Sequence, residues 1–255
     1  MTQDRMGMPQ ITFAVAGSLA AALTDFARAF TARTGDAVDI RHGPAGLLTA
    51  AIREGLPVDV FVSASPDGPE ALHREGLFNP PCTIARNRMV LVVRPGLYAS
   101  AEDPLALLTD PRWRIGMSTP RADPGGDYAA AFLERLKTED PRRWQDLGPR
   151  CVSLYGAVLP DPHEPLRSPA LAALIEGQAD MLIVYATTAD RIAQALPGTR
   201  VLPLPLELAP LTEICACVRC DGPKPAHRFF EALQGADCRL ILRQHGFLAV
   251  PGQPG

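Results

Sequence analysis

Three short segments carry the residue types that hold an anion: Ala16-Gly17-Ser18, Gly43-Pro44-Ala45-Gly46 and Asp123-Pro124-Gly125-Gly126. Each stands where an apolar run or a turn gives way to helical spacing. The first turn of a helix leaves amide N–H groups without carbonyl partners and carries a partial positive charge, so it suits an anion. Gly and Ala let a ligand approach the backbone closely. In a parallel sheet such turns gather at the carboxyl edge of the strands, where ligands bind. Taken singly, each segment also reads as an ordinary junction, with Ser18 and Asp123 as helix caps and the glycines as turns. Tyr185 closes the apolar run Met181-Leu-Ile-Val-Tyr185. Its hydroxyl is either a ligand donor or a rim group reaching water.

Other reactive side chains fall into weaker patterns. Cys215-Ala-Cys217-Val-Arg-Cys220 invites a metal reading. On one strand, however, 215 and 217 share a face while 220 falls on the other. Buried structural thiols are therefore preferred to a metal site. The histidines (42, 73, 163, 227 and 245) show no ligand spacing. His42 stands beside the second segment, as a ligand contact or as a rim residue. Ala16-Gly17-Ser18-Leu19-Ala20 lacks the second Gly of a nucleophile elbow. There is no phosphate loop with Lys and no His-Glu-x-x-His. The chain reads as no enzyme and needs no cofactor or metal. An enzyme would require a titratable pair facing the ligand, and only His42 and Asp123 are candidates.

These residues need elements to hold them. Apolar runs predict strands over 11–16, 37–41, 58–63, 89–93, 113–117, 181–185 and 213–218. Helical spacing predicts helices over 19–33, 45–54, 69–75, 128–137, 170–176, 224–233 and 236–245. Gly35, Gly55, Gly76 and Gly177 end four of them. Three strand–helix units in about the first 75 residues predict a parallel sheet with helices on both faces. The Pro-rich stretch 197–210 reads as a linker or an edge segment.

The chain has 255 residues, 47% of them hydrophobic, which is enough for one large domain or two lobes. A net charge of −3 excludes a nucleic-acid partner and a basic membrane-binding face. No apolar run approaches the roughly 20 residues of a spanning helix. Residues 1–10 lack a basic start followed by an apolar run, so they read as no secretory signal. A cytoplasmic location stays open on that ground. The six cysteines are too few for a disulfide framework in a chain of this length, yet allow one or two bridges.

At this point a resemblance becomes specific. Ile11-Thr-Phe-Ala-Val-Ala-Gly-Ser18-Leu, then Gly43-Pro-Ala-Gly-Leu-Leu, then Ile52-Arg-Glu-Gly55-Leu-Pro-Val-Asp59-Val-Phe-Val-Ser-Ala64 resembles the periplasmic molybdate/tungstate-binding component of ABC transporters. Asp123-Pro-Gly-Gly-Asp-Tyr128-Ala is similar to its Pro-Ala-Gly-x-Tyr-Ala loop. Glu176-Gly-Gln-Ala-Asp-Met-Leu-Ile-Val-Tyr185 resembles the strand that ends in the family's ligand-binding Tyr, and Arg243-Gln-His-Gly-Phe247 its C-terminal Arg-Tyr-Gly-Phe. The resemblance covers roughly 10–248 and is weakest over 138–168.

It implies an α/β chain of the type II periplasmic binding-protein fold: two lobes of mixed, mostly parallel sheets with a ligand cleft between them. One lobe is expected from 1–85 plus 196–255 and the other from 86–195. The implied ligand is molybdate or tungstate, and the implied partner an ABC permease subunit. A periplasmic monomer is expected, without membrane insertion. A sensor of the same fold for sulfate, phosphate or a small carboxylate is the alternative, although a regulator would carry a helix-turn-helix before Ile11, where there is no room for one.

Carried over by position, the family's first Ser ligand falls on Ser18 and its second on Ala45, with Gly46 beside it as an amide donor. Its second-lobe backbone donor falls on Gly125, its Val backbone donor near Arg167 and its Tyr on Tyr185. Gly17, His42, Asp123 and Tyr128 stand as additional candidate contacts. Two positions depart from the pattern. Ala45 removes a hydroxyl and Pro44 an amide N–H, while Arg167 adds a guanidinium. A lost hydroxyl bond of roughly 1–3 kcal/mol is offset by a charge-assisted one of similar or larger size, and a carboxylate ligand becomes plausible. Related tungstate binders complete six-fold coordination with carboxylates near Asp123 and near Val184. Since Val184 is apolar, that geometry is not expected.

Overall fold

The run Ile11–Ala16 forms strand β1 and is buried along nearly its whole length, so layers must cover both of its faces. The structure, a computed structural model, describes residues 10–97, 103–142, 144–159 and 168–252. A single 3-10 turn, Gly17–Leu19, follows β1 and leads into helix α1, Ala20–Thr34. Leu23, Phe26, Ala27 and Phe30 recur at helical spacing and are all buried. Gly35 ends α1 in the left-handed conformation (φ 80°), its N–H bonded to the Thr31 carbonyl, which a residue with a Cβ adopts only under strain. Strand β2 (Val38–Gly43), helix α2 (Ala45–Arg53), strand β3 (Val60–Ser63), helix α3 (Asp67–Arg74) and strand β4 (Cys82–Asn87) complete the first run. β1 pairs in parallel with both β2 and β3. The Asp59 carboxylate accepts from the Thr12 N–H and hydroxyl, each at 2.8 Å, and locks the start of β3 to β1.

The chain then builds a second compact unit, Asn87–Thr212. Its elements are β5 (Met89–Val93), α4 (Pro104–Thr109), β6 (Ile115–Ser118), α5 (Pro124–Glu139), α6 (Leu147–Arg150), β7 (Cys151–Tyr155), α7 (Pro169–Ile175), β8 (Met181–Tyr185), α8 (Ala186–Ala195) and β9 (Arg200–Pro203). The sheet order is β7-β6-β8-β5-β9. β6 is parallel to β7 and β8, and β5 is antiparallel to β8 and β9. β5 and β8 are wholly buried, as strands at the centre of a sheet covered on both faces must be.

Strand β10 (Thr212–Val218) and helices α9 (Lys224–Leu233) and α10 (Ala236–Gln244) return to the first unit, Met1–Arg86 with Glu213–Gly255. Its sheet has the order β2-β1-β3-β10-β4, with β10 antiparallel to β3. The two sheets therefore share one plan. The strand second from one edge, β1 in the first sheet and β6 in the second, carries parallel neighbours on both sides, and beyond β3 and β8 the next strand, β10 or β5, runs antiparallel. In each unit the strand order reverses at that second strand, the kind of point where open α/β sheets bind ligands. Phe229 of α9 seals the first core, its ring 4.9 Å from Phe13, 5.5 Å from Phe26 and 5.0 Å from Phe30.

Most expected elements form within a few residues of their expected bounds. Six others carried no clear signal. β4 follows Pro80-Pro81 and mixes polar with apolar residues; β7 is an edge strand with two exposed positions; α8 opens on Ala186-Thr187-Thr188. α4 and α6 are too short for a helical period, with 6 and 4 residues. The Pro-rich stretch 197–210 contains β9, an edge strand on β5, where prolines are tolerated. Because β9 pairs there, the second unit runs to Thr212, beyond the expected 195. α5 begins at Pro124 rather than near 128, since a proline needs no amide partner in a first turn.

Truncating Phe229 to Ala removes the ring on which three others converge. The expected loss is about 3–5 kcal/mol of stability, read as a lower denaturation midpoint in guanidinium with the far-UV dichroism of the native protein retained.

Candidate functional site

In the first unit, the expected loops sit at the carboxyl edge of β1 and β2. Ser18 lies inside the 3-10 turn, and neither that turn nor α1 has a side-chain cap bond. The capping role expected as the ordinary reading of Ser18 is therefore not realised. Gly17 has room to spare: a Cβ there meets only the Gly43 carbonyl oxygen, at 3.9 Å. No protein atom requires a glycine at this point. α2 starts after Pro44 without a side-chain cap, and the Leu48 N–H takes the Pro44 carbonyl. The amides of Ala45, Gly46 and Leu47 thus form the unpaired first turn. Ala45 is buried and brings no hydroxyl to this turn. His42 lies beside Val15 in the β1–β2 register. Burial pushes its imidazole below the usual value, which favours the neutral ring.

In the second unit, the carboxyl edge of β6, β7 and β8 collects a denser set. The register slips between Met117 and Ser118, so Ser118 pairs with Tyr155 rather than Leu154. Thr119 fixes the same corner: its N–H and hydroxyl donate to the Tyr155 carbonyl at 2.8 and 2.9 Å. α5 then packs its N-terminus directly against this corner. A Cβ on Gly126 would stand 2.5 Å from the Ser118 carbonyl oxygen and 2.6 Å from the Pro120 nitrogen, so only glycine fits. A Cβ on Gly125 would meet the Ser118 Oγ at 3.0 Å, Tyr185 Cε2 at 3.3 Å and Asp123 Oδ2 at 3.4 Å. These clearances bring Ser118, Asp123 and Tyr185 around Gly125. The Tyr128 ring meets the Tyr185 ring edge-on, with centroids 6.3 Å apart.

Asp123 occupies the N-cap position of α5, but its side chain closes no capping hydrogen bond. Burial raises its carboxyl above the ordinary carboxylate range, against the Ser118 hydroxyl and the Gly125 amide, which favour the charged form. Tyr185 is almost fully buried at the end of β8. Its phenol is held well above the usual value, first by burial and then by Asp123, Tyr128 and Asp127. Burial and Asp123 raise the Tyr155 phenol likewise. Both hydroxyls stay protonated and are donors at any ordinary pH.

Of the expected site residues, the structure gathers Gly125, Asp123, Tyr128 and Tyr185 in the second unit. Gly17, Ser18, His42, Ala45 and Gly46 fall along one sheet edge in the first. Arg167 lies outside the described residues. Ser118 and Tyr155 were missed. Their signal is a Ser ending one short strand and a Tyr ending another just before Gly156, which has φ +83°. Cys215 and Cys217 are buried in β10, and burial pushes the Cys215 thiol up to about 11. Cys220 is exposed beyond the strand. Among the described residues, no three His, Cys, Asp or Glu side chains converge as a metal site. No helix among them is long and apolar enough to cross a membrane.

Comparison with known proteins places these edges in context. The family model described as bacterial extracellular solute-binding protein matches residues 11–248. The molybdate-binding protein ModA of Escherichia coli (strain K12) is 25% identical over 248 residues, 93% of this chain and 88% of that protein. The solved periplasmic molybdate-binding protein of Azotobacter vinelandii matches with a TM-score of 0.74 at 25% identity, covering 94% of this chain and 99% of that one. The sulfate-binding protein SubI from Mycobacterium tuberculosis H37Rv matches with a TM-score of 0.75 at 16% identity, covering 95% and 88%, a likeness of fold.

The raised carboxyl of Asp123 has a consequence for stability. A group that holds its proton more tightly when folded contributes favourably below its unfolded pKa, and that contribution is lost as pH rises through the folded value. Asp123→Asn is therefore expected to be more stable than the native protein at neutral pH. The gap closes as pH falls through the raised Asp123 value toward the ordinary 3.8. Paired thermal melts across that window check it.

Proposed function

The chain belongs to the bacterial extracellular solute-binding protein family, and from that premise we propose that it captures a small oxyanion, with molybdate or tungstate as the leading ligands, for delivery to an ABC permease. It is a solute-binding protein of the type II periplasmic binding-protein fold, in a family of binding proteins rather than enzymes. The observation that carries the oxyanion reading is the kind of donor assembled at the strand ends. Tyr155, Tyr185 and Ser118 carry hydroxyls, and Gly125 in the first turn of α5 carries an amide. Neutral donors held rigidly suit a compact anion, because they need no reorganisation when it enters.

In the first unit, Ser18 supplies a hydroxyl and Gly46 an amide, while Gly17 leaves the backbone open to close approach. In the second, Gly125 supplies an amide and Tyr185 a hydroxyl. Ala45 contributes only its amide, one hydroxyl fewer than in the molybdate-binding family that it resembles. Arg167 is assigned the compensating charge. The ligand-loaded form is read by the permease, and the protein works as a monomer in the periplasm. The second reading, a sulfate, phosphate or small-carboxylate receptor, follows from the same two departures: a guanidinium added and a hydroxyl removed.

A ligand that binds only the folded state raises the melting temperature with its occupancy. Thermal-shift measurements with molybdate, tungstate, sulfate, phosphate and small carboxylates are expected to show the largest rise with molybdate or tungstate. If none of them moves the transition, the oxyanion reading is wrong. Ser18→Ala and Tyr185→Phe each remove one hydroxyl and are expected to cost about 1–3 kcal/mol, or roughly 5- to 150-fold in Kd. Arg167→Ala is expected to weaken molybdate about tenfold or more by calorimetry; unchanged affinity removes Arg167 from the site.

A further inference from the structure

Asp123 sits among the groups assigned to the anion, and it is itself an acid. Its Oδ2 lies 3.4 Å from where a Cβ on Gly125 would stand and 3.5 Å from where one on Gly156 would stand; its Cβ lies 3.1 Å from the latter. Two glycines on different segments thus clear the space that this carboxyl occupies. Gly156 has φ +83°, a conformation that other residues rarely adopt. The carboxyl is a built part of the corner and not a passing surface group.

Groups face it from every element packed there. β6 contributes the Ser118 hydroxyl, β7 the Tyr155 phenol, β8 the Tyr185 phenol, and α5 the Gly125 amide and the Asp127 carboxylate, while Tyr128 packs on Tyr185 behind them. Among the described residues, the charge that acts on Asp123 is a second carboxylate, Asp127. The Asp127 side chain also accepts the Arg121 N–H at 2.7 Å, so it is held in place at the same helix start. A bound dianion would add to this negative field and compete with Asp123 for the same hydroxyls and amide. Two like charges in one desolvated site do not both stay ionised, and the pair keeps a proton.

We propose that this site binds its oxyanion together with one proton, held between the Asp123 carboxyl and an oxygen of the bound anion. The proposal rests on the oxyanion reading above and deepens it. In balance, ionised Asp123, a dianion and one solvent proton give a complex in which Asp123 is the neutral O–H donor to the anion. No bond to the central atom of the anion forms or breaks. Asp123 then acts as one more hydrogen-bond donor, and the hydroxyl missing at Ala45 is partly replaced. Selectivity follows: the site favours an anion whose oxygens accept a hydrogen bond strongly over a weakly basic one of the same charge.

Isothermal titration of the full chain with molybdate, between about pH 6 and 10 and in two buffers of different protonation enthalpy, tests this. Molybdate stays a dianion over that range, so the ligand adds no slope of its own. The native protein is expected to lose affinity with rising pH, approaching about tenfold per unit once free Asp123 is ionised, with up to one proton taken up per anion. Asp123→Asn is expected to bind with no such slope and no uptake. Asp127→Asn is expected to keep both. A flat profile without uptake in native protein that still binds molybdate overturns the proton inference and leaves the oxyanion reading standing. A slope that survives in Asp123→Asn also overturns it. If molybdate, tungstate, sulfate and phosphate all give no binding heat at any pH, the oxyanion reading itself falls, and the proton inference with it.

Discussion

The first-turn amides of a helix have no carbonyl partners of their own, and the structure is organised around where those amides end up. In both units a strand leads into a helical turn, almost directly after β1 and β2 and through a short turn after β6. After β1 the junction is Ala16-Gly17-Ser18; after β2 it is Gly43-Pro44-Ala45; after β6 the chain turns through Thr119–Asp123 into α5. The shared strand order then sets these turns on one edge of each sheet. None of the three helices uses a side-chain cap at this point. Helices that only needed ending would gain about 1 kcal/mol from a cap each. On the proposed reading, the amides left over at these turns serve the ligand instead.

The two units meet this constraint differently. The first presents a sparse edge: a serine, a run of amides, the buried Ala45 and His42, whose ring burial favours in the neutral form. The second presents a crowded one, in which two raised phenols, a serine and a carboxyl surround a glycine amide. The close approach at Gly126 makes that crowding feasible, since α5 can touch the Ser118 carbonyl only where no Cβ intervenes. The cost falls on Asp123, which is desolvated beside another acid. Strain and desolvation of this kind are characteristic of sites kept for function rather than stability.

Likeness to molybdate-binding proteins covers nearly the whole chain, at 25% identity. The fold therefore transfers more securely than the ligand does. A core such as the Phe13, Phe26, Phe30 and Phe229 cluster tolerates one solute as well as another. On the proposed reading, selectivity rests on a few hydroxyls and charges, and the two departures from the family pattern, at Ala45 and Arg167, are where it would change.

The sequence by itself determined the elements with strong periodicity. β1, α1, β3, β5, β8 and the closing helices were legible because burial on both faces forces continuous apolar runs, and one-sided burial forces the 3.6-residue repeat. The glycine stops at Gly35 and Gly177 and the family resemblance were legible for the same reason: they are local patterns. Ser18, Gly125 and Tyr185 could be named as candidates because each ends a readable strand or opens a readable helix. Tertiary structure decided the rest. β4, β7 and β9 are edge strands or polar ones, formed because a neighbour offers backbone partners and not because their own residues demand it. Ser118 and Tyr155 come together through a slip in strand register, and Asp123, readable as a helix cap, is a buried acid beside them. Register and desolvation depend on which chain segments meet, and spacing along one segment does not carry that information.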